Sequence, residues 1–316
     1  MSFPEPLFIV APPRSFTSVF CAMLGQHPQM YSIPETSLFC AETVREWISL
    51  CRVAKFPMSH GLLRAVAQLI FGEQSESNVI QAWAWLRRRN RCTTGYIFEL
   101  LAERVAPRLL VEKSPSIVYQ AENLVRIREM FPNARYVHLV RHPRGHGESV
   151  MKHIRKAVEE DGTVPPWLLE LASFPPANGR AGHSTAGLLD PQHGWLSLHT
   201  NIRDFLKTVP PEHTLQVRGE ELLSSTDRTL RKILEWLSVR MDDEVLSEMK
   251  HPERWPYATF GPSNARFGTD QFFFEQPVLR PDRAEPLSLE GPLSWRVDAS
   301  GFVPKVKKLA VEFGYD

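Results

Sequence analysis

Apolar residues fall into two patterns along this chain. Short unbroken apolar runs end abruptly in polar loops, as buried strands of a parallel sheet do. Residues 7–10 (LFIV), 108–115 (RLLVEKSP), 135–143 (RYVHLVRHP) and the segment HTLQVRGEELL read this way. Elsewhere apolar residues return every three or four positions, the period of a helix with one buried face. That pattern covers 15–26 and much of 36–106, in SLFCAETVREWISLC, GLLRAVAQLIFG and NVIQAWAWLRRRN. It returns in ENLVRIREMFPNA, in 144–160, in GWLSLHTNIRDFLKTV, in STDRTLRKILEWLSV with an N-cap expected at Ser225 or Thr226, in DDEVLSEMKH and in 300–314. The segment HPQMYSIPETSLF, broken by Pro28 and Pro34, reads as a short extended or turn stretch. Residues 161–194 are rich in Pro, Gly, Ser and Ala without a period, and read as a functional or mobile loop; 252–292 is loop-like too.

Strands alternating with helices predict right-handed crossovers and a mainly parallel sheet. The expected fold is an α/β, P-loop-like three-layer sandwich, a single domain over 1–316 with an all-helical insertion at 36–106. In such sheets ligands collect beyond the carboxyl ends of the strands. The strand ends here carry Arg14, Lys113, Arg141 with Arg144, and Arg218. One arginine at a strand end is usually a solvated charge. Four strands delivering cations to one edge point to a polyanionic ligand.

The formal net charge is +1, so no global field draws the chain to nucleic acid or to an anionic membrane, and the anion site must be a local cluster. No apolar run reaches the roughly 18 residues a membrane span needs. The start MSFPEPLF lacks the basic and apolar regions of a signal peptide, and the four cysteines, Cys21, Cys40, Cys51 and Cys92, show neither metal spacing nor short-range pairing. The expectation is a cytoplasmic protein with reduced structural thiols, no membrane span and no nucleic-acid partner.

The loop APPRSFTS follows the first strand where a nucleotide-binding protein often has its phosphate loop. Aligned on G-x-x-x-x-G-K-[ST], it has Ala11 and Phe16 at the glycines and Thr17 at the lysine. Triphosphate hydrolysis is therefore not expected. What remains is a helix N-terminus, the hydroxyls of Ser15, Thr17 and Ser18, and the planar, permanently charged fork of Arg14. The plainer alternative is a capped helix with Arg14 on the surface. In RHPRGHGES, Arg141 ends a strand and Ser149 lies eight residues on in the next helix, a pair suited to a second phosphate. His142, His146 and His153 match no metal-ligand spacing, and no metal is expected.

With these residues in view, FIVAPPRSFTSVFCAMLGQHP resembles the 5′-phosphosulfate loop of sulfotransferases that use 3′-phosphoadenosine 5′-phosphosulfate (PAPS), whose pattern is strand, P-[RK]-S-G-[TS]-[TS], helix. YVHLVRHPRGHGES resembles their 3′-phosphate motif, and LQVRGEELL is similar to their V-R-Y-E-D-L segment. The likeness runs from residue 7 to about 240; TDQ at 269–271 and the closing FGYD look like the tail of the tyrosylprotein sulfotransferases. RLLVEKSPS and YVHLVRHPRG look more like the sulfotransferase domains of bacterial polyketide and peptide assembly lines. The resemblance implies a metal-free O-sulfotransferase. It assigns the 5′-phosphate and leaving oxygen to Arg14 with Ser15, Phe16, Thr17 and Ser18, the leaving group also to Lys113, and the 3′-phosphate to Arg141 and Ser149. Arg218 and Ser263 fall at further cofactor-contact positions. Two residues depart from the pattern: Phe16 stands at the family's glycine and Gly219 at its tyrosine. A bulky residue is strained at positive φ, so the loop is expected to be helical at Phe16, or Phe16 to pack where cofactor or acceptor passes.

The resemblance also implies a general base, Glu35, 21 residues after Arg14. Glu35 could instead cap the helix expected at 36–50. His27 is the other candidate base, or else a partner of a helix C-terminus. The implied acceptor is a hydroxyl on a small molecule, an acyl chain or a peptide-like metabolite, free or carried on an acyl carrier protein, in a pocket formed by 161–194 and by 36–106 with Trp47, Trp83 and Trp85. WAWLRRRNR would face an acidic carrier or its phosphopantetheine, or is an amphipathic helix with a solvated face. Two rival functions remain: a nucleotide kinase of the same fold, and a non-catalytic adenine-nucleotide-binding protein.

Overall fold

The computed structural model describes residues 3–54, 56–173, 189–281 and 287–316. Five parallel strands form one sheet: β1 (Leu7–Val10), β2 (Met30–Ser32), β3 (Leu109–Glu112), β4 (Arg135–Val140) and β5 (Thr214–Arg218), in the spatial order β2-β3-β1-β4-β5. β1 is buried at every position, which is why its sequence is an unbroken apolar run rather than an alternation. β2 is the strand that the sequence left as an extended or turn stretch. It is only three residues long, lies between Pro28 and Pro34, and pairs with β3 along the sheet edge.

Helix α1 (Thr17–Leu24) follows β1. Four helices fill the stretch from β2 to β3: α2 (Val44–Val53), α3 (His60–Phe71), α4 (Glu76–Arg88) and α5 (Thr94–Val105). Their starts are marked locally. Thr43 and Glu46 form a capping box on α2, and Ser75 and Thr93 cap α4 and α5. α6 (Ala121–Met130) links β3 to β4. α7 (Pro143–Asp161), α8 (Pro166–Ser173) and α9 (Pro191–Leu206) lie between β4 and β5. α8 and the start of α9 thus occupy both ends of the 161–194 stretch read as a loop, and residues 174–188 lie outside the described residues. The chain continues through α10 (Gly219–Ser224), α11 (Thr226–Leu237), α12 (Asp243–Met249), α13 (Gln271–Glu275) and α14 (Pro304–Glu312). Ser225 does stand at the N-cap position of α11, but its side chain makes no capping bond.

The connection after β1 runs to one edge of the sheet, and the connection after β4 runs to the other. β1 and β4 are neighbours, so their carboxyl ends border the crevice where strand order reverses. The main core holds Phe8 of β1 among Phe39, Phe98, Phe131 and Tyr136, with ring centroids 5.4–6.3 Å from it. Offset and edge-on pairs of this kind contribute about 0.5–1.5 kcal/mol each beyond the area they bury. A second cluster joins Val140 to Trp195, Leu309 and Phe313. Among the described residues no helix is long and apolar enough to cross a membrane, and the four cysteines are free thiols.

Candidate active site

The loop between β1 and α1 turns sharply at two residues. Arg14 has φ 70° and Phe16 has φ 60°, ψ 15°. Phe16 is therefore left-handed, so of the two expectations for it the helical one does not hold. That conformation costs a non-glycine residue about 1–2 kcal/mol, so the surroundings must hold it. They do so with four contacts. His146 of α7 bonds the Pro13 carbonyl through Nε2 at 3.0 Å; Arg141 donates from Nη1 to the Arg14 carbonyl at 2.6 Å; the Arg141 guanidinium lies 4.2 Å from the Phe16 ring centroid; and the ring packs against Gly219 at the start of α10. Phe16 has no side-chain oxygen, and no side-chain capping bond satisfies the first N–H groups of α1.

Arg14 joins the two phosphate motifs. Its Nε donates to Ser149 Oγ at 3.3 Å, and its Nη1 meets Asp270 Oδ2 at 2.8 Å. Burial works to raise the Asp270 carboxyl, but the charge and hydrogen bond of Arg14 outweigh it and hold it below the usual range. Ser15 Oγ is buried without a hydrogen-bond partner. His146 is pushed down to about 3 by burial and the Arg141 charge, and His153 to about 4 by burial and the Arg14 charge. Both rings are neutral neighbours of the arginines, and among the described residues no cluster of three or more His, Cys, Asp or Glu could hold a metal.

Lys113, just beyond β3, is the hub of the other half of the site. Its side chain is 1% exposed, and its ammonium contacts the carboxylate of Glu35, Ser18 Oγ at 3.3 Å and Thr269 Oγ1 at 3.2 Å. Thr269 in turn donates to Ser18 Oγ at 2.8 Å. A buried ammonium needs such partners, because removing it from water without them is costly.

Glu35 is not a helix cap: Thr43 caps α2, and the Glu35 carboxylate is spent on Lys113 with 31% of its side chain still open to solvent. Its backbone is clamped. The Glu35 N–H donates to the Gly268 carbonyl at 2.7 Å, and a Cβ at Gly61 of α3 would stand 1.9 Å from the Glu35 carbonyl oxygen, so only glycine fits there. The next residue, Thr36, donates to Glu112 Oε1 at 3.0 Å and accepts from Trp47 Nε1 at 3.2 Å. Ser114 also donates to Glu112 and accepts from the Ser37 N–H at 2.9 Å. Fully buried Glu112, raised by burial to about 7 against the pull of Ser114 and Thr36, thus ties the Glu35 segment to the end of β3.

The candidates that the structure places elsewhere are equally clear. His27 Nε2 bonds the Arg240 carbonyl at 2.8 Å and its Nδ1 accepts from the Gln29 N–H, with the ring at the far end of α1 from the phosphate loop. Arg218 points toward the C-terminal segment, where its guanidinium bonds the Gly314 carbonyl and Glu221 and lies 5.7 Å from the Tyr315 ring centroid. Arg144 likewise bonds the carbonyls of Ser288, Glu290 and Pro292. Ser263 donates to Glu76 at the start of α4. From the same long segment it is Thr269 and Asp270 that reach Lys113 and Arg14. In the sequence TDQ shows only a tail likeness, and a three-residue match inside a long loop carries no mark of which side chain turns inward.

Residues 6–243 match the model of the Sulfotransferase family. Protein-tyrosine sulfotransferase A of Caenorhabditis elegans is 23% identical over 320 residues, which span 98% of this chain and 67% of that protein. The sulfotransferase domain from the curacin biosynthetic pathway superposes with a TM-score of 0.74 at 22% identity, covering 99% of this chain and 98% of that one. The sulfotransferase domain from the Synechococcus PCC 7002 olefin synthase gives 0.69 at 23% identity, covering 100% and 97%. At these identities the two solved structures speak for the fold.

Proposed function

The chain belongs to the sulfotransferase family, and on that premise we propose that it takes the sulfuryl group from PAPS and passes it to a hydroxyl of an acyl-chain, peptide-like or small-molecule acceptor, with Glu35 as general base. The observation that carries the reading is the contact of Glu35 with Lys113, beside Ser18 at the start of the helix that follows the phosphate loop. A carboxylate open to solvent on one side and held against a buried ammonium on the other suits a step in which one group takes a proton and the other faces developing negative charge.

The residues fit a nucleotide bearing two separate phosphate groups. The buried hydroxyl of Ser15 is unpartnered, the first N–H groups of α1 have no side-chain cap, and Arg14 and Arg141 border the crevice between β1 and β4. Arg14, the start of α1 and the hydroxyls of Ser15, Thr17 and Ser18 would hold the 5′ end; Arg141 and Ser149 would hold the 3′-phosphate. The bound nucleotide supplies the activated sulfuryl group. The protein orients it, neutralises negative charge through Arg14 and the Lys113 ammonium, and accepts the acceptor's hydroxyl proton on a Glu35 carboxylate oxygen. These side-chain cations would supply the charge that a nucleotide kinase takes from a metal ion and a loop lysine; in the loop pattern Thr17 holds that lysine's place.

The names of the relatives favour one class of acceptor. The curacin domain is named for a biosynthetic pathway, the second domain for an olefin synthase and the nematode protein for protein tyrosine, which favours an acyl-chain or peptide-like hydroxyl, free or presented on an acyl carrier protein. A thermal-shift panel with 3′,5′-adenosine bisphosphate, ADP, ATP and NAD tests the donor. At about 100 times its Kd a ligand stabilises by about 2.7 kcal/mol, and only the first should do so. Equal stabilisation by ATP with Mg²⁺ would favour a kinase and overturn the proposal.

A further inference from the structure

The two residues that break the sequence pattern meet in space. The Phe16 ring lies against the backbone of Gly219, where an added Cβ would stand 2.4 Å from Phe16 Cδ2 and 3.1 Å from Cε2. No side chain at 219 is compatible with the ring where it is, and the ring could not be there without the glycine. On the ring sits the Arg141 guanidinium, with its carbon 4.2 Å from the ring centroid. Arg141 is also tethered through Nη1 to the carbonyl of Arg14, another left-handed residue of the same loop. The guanidinium is thus located by a flat surface beneath it and an acceptor at one nitrogen, which together leave it little rotational freedom. A cation over an aromatic face is attracted to the ring's negative quadrupole, more strongly where water is excluded.

We propose that Phe16 is a positioning residue for Arg141: its ring, admitted by Gly219, aims the guanidinium at the 3′-phosphate, so preference for a 3′-phosphorylated nucleotide depends on the 16/219 pair and not on Arg141 alone. The proposal rests on the nucleotide reading above. It accounts for a bulky residue held at φ 60°, because the left-handed turn is what delivers the ring to the space over Gly219.

The test is calorimetric titration of 3′,5′-adenosine bisphosphate and adenosine 5′-monophosphate into wild type, Phe16→Leu, Phe16→Gly, Gly219→Tyr and the double variant Phe16→Gly/Gly219→Tyr, the last three closing a cycle with wild type. Leucine keeps an apolar side chain but has no aromatic face. In Phe16→Leu the affinity ratio of the two nucleotides should fall about five- to tenfold, over and above any loss that the altered loop imposes on both alike. Gly219→Tyr should lower both the ratio and the melting temperature. The double variant, which moves the ring from one side of the contact to the other, should regain more of both than the two single effects allow if independent. A ratio in Phe16→Leu within about twofold of wild type overturns the proposal, whether or not Gly219→Tyr folds, as does strict additivity in the double variant. A wild type that binds both nucleotides equally would instead overturn the nucleotide reading, and this inference with it.

Discussion

Acidification should loosen the phosphate loop through His146, by an amount that can be worked out. His146 is fully buried; its Nε2–H donates to the Pro13 carbonyl, its Nδ1 has no partner, and Arg141 and Arg14 lie nearby. Burial and the Arg141 charge hold it down to about 3, against 6.5 for the unperturbed side chain. A histidine with a depressed folded-state pKa stabilises the fold while neutral. Its contribution is complete above about 6.5 and is lost as pH falls toward the folded value, because the unfolded chain binds the proton first. Each unit below about 6.5 costs about 1.4 kcal/mol, so a fall from about pH 7 to about pH 5 should remove about 2 kcal/mol through His146. His138, also buried and held down to about 3, acts in the same direction, so wild type alone cannot isolate His146. The perturbation is His146→Gln, which retains an amide donor for Pro13 but does not titrate. Urea unfolding followed by tryptophan fluorescence at both pH values should show the variant losing about 2 kcal/mol less than wild type over that interval. Equal losses in the two proteins would refute the reasoning, since the proton would then be taken up elsewhere.

Three substitutions probe the rest of the site. Glu35→Gln should leave affinity for 3′,5′-adenosine bisphosphate nearly unchanged and lower kcat by about 10²-fold or more; surviving turnover would show that Glu35 only partners Lys113. Arg141→Ala should weaken binding of 3′,5′-adenosine bisphosphate by about tenfold or more while sparing adenosine 5′-monophosphate, and equal losses would remove Arg141 from the 3′ subsite. Gly61→Ala should drive α3 away from the Glu35 carbonyl and cost about 1–3 kcal/mol in denaturant unfolding along with turnover; a variant as stable and active as wild type would mean that the Glu35 segment is not held by α3.

The strands were legible where apolar runs were long enough to carry a signal. β1 is found at the residues where its run lies, and β4 begins at Arg135 as read; a strand covered on both faces is mostly apolar, and His138 is the one polar residue between Tyr136 and Val140. β2 was not recognised as a strand, since three residues between prolines hold no period, and its strand character comes from pairing with β3. α8 is only eight residues long and begins at Pro166, so its signal was lost among the neighbouring prolines and small residues. In the site, Arg14, Lys113 and Arg141 were legible because each ends or closely follows a strand. Thr269 and Asp270 carried no such mark, because a long loop can present any of its side chains.

The sequence by itself determined that this chain forms a parallel α/β sheet and that cations gather at its carboxyl edge. Both follow from interactions within a few residues: burial of short apolar runs, helix periodicity, and the fixed direction of a strand leading into its loop. Only the tertiary structure decided which side chains close the site. Glu35 meets Lys113 across 78 residues of chain, and Thr269 meets Lys113 across 156. The same holds for Phe16, which looked like a break in the loop pattern. In the fold its ring fills the space that Gly219 leaves free and lies against Arg141, so two departures far apart in sequence become one complementary contact. Close packing makes the size of one residue a condition on the other, and nothing local to either could reveal it.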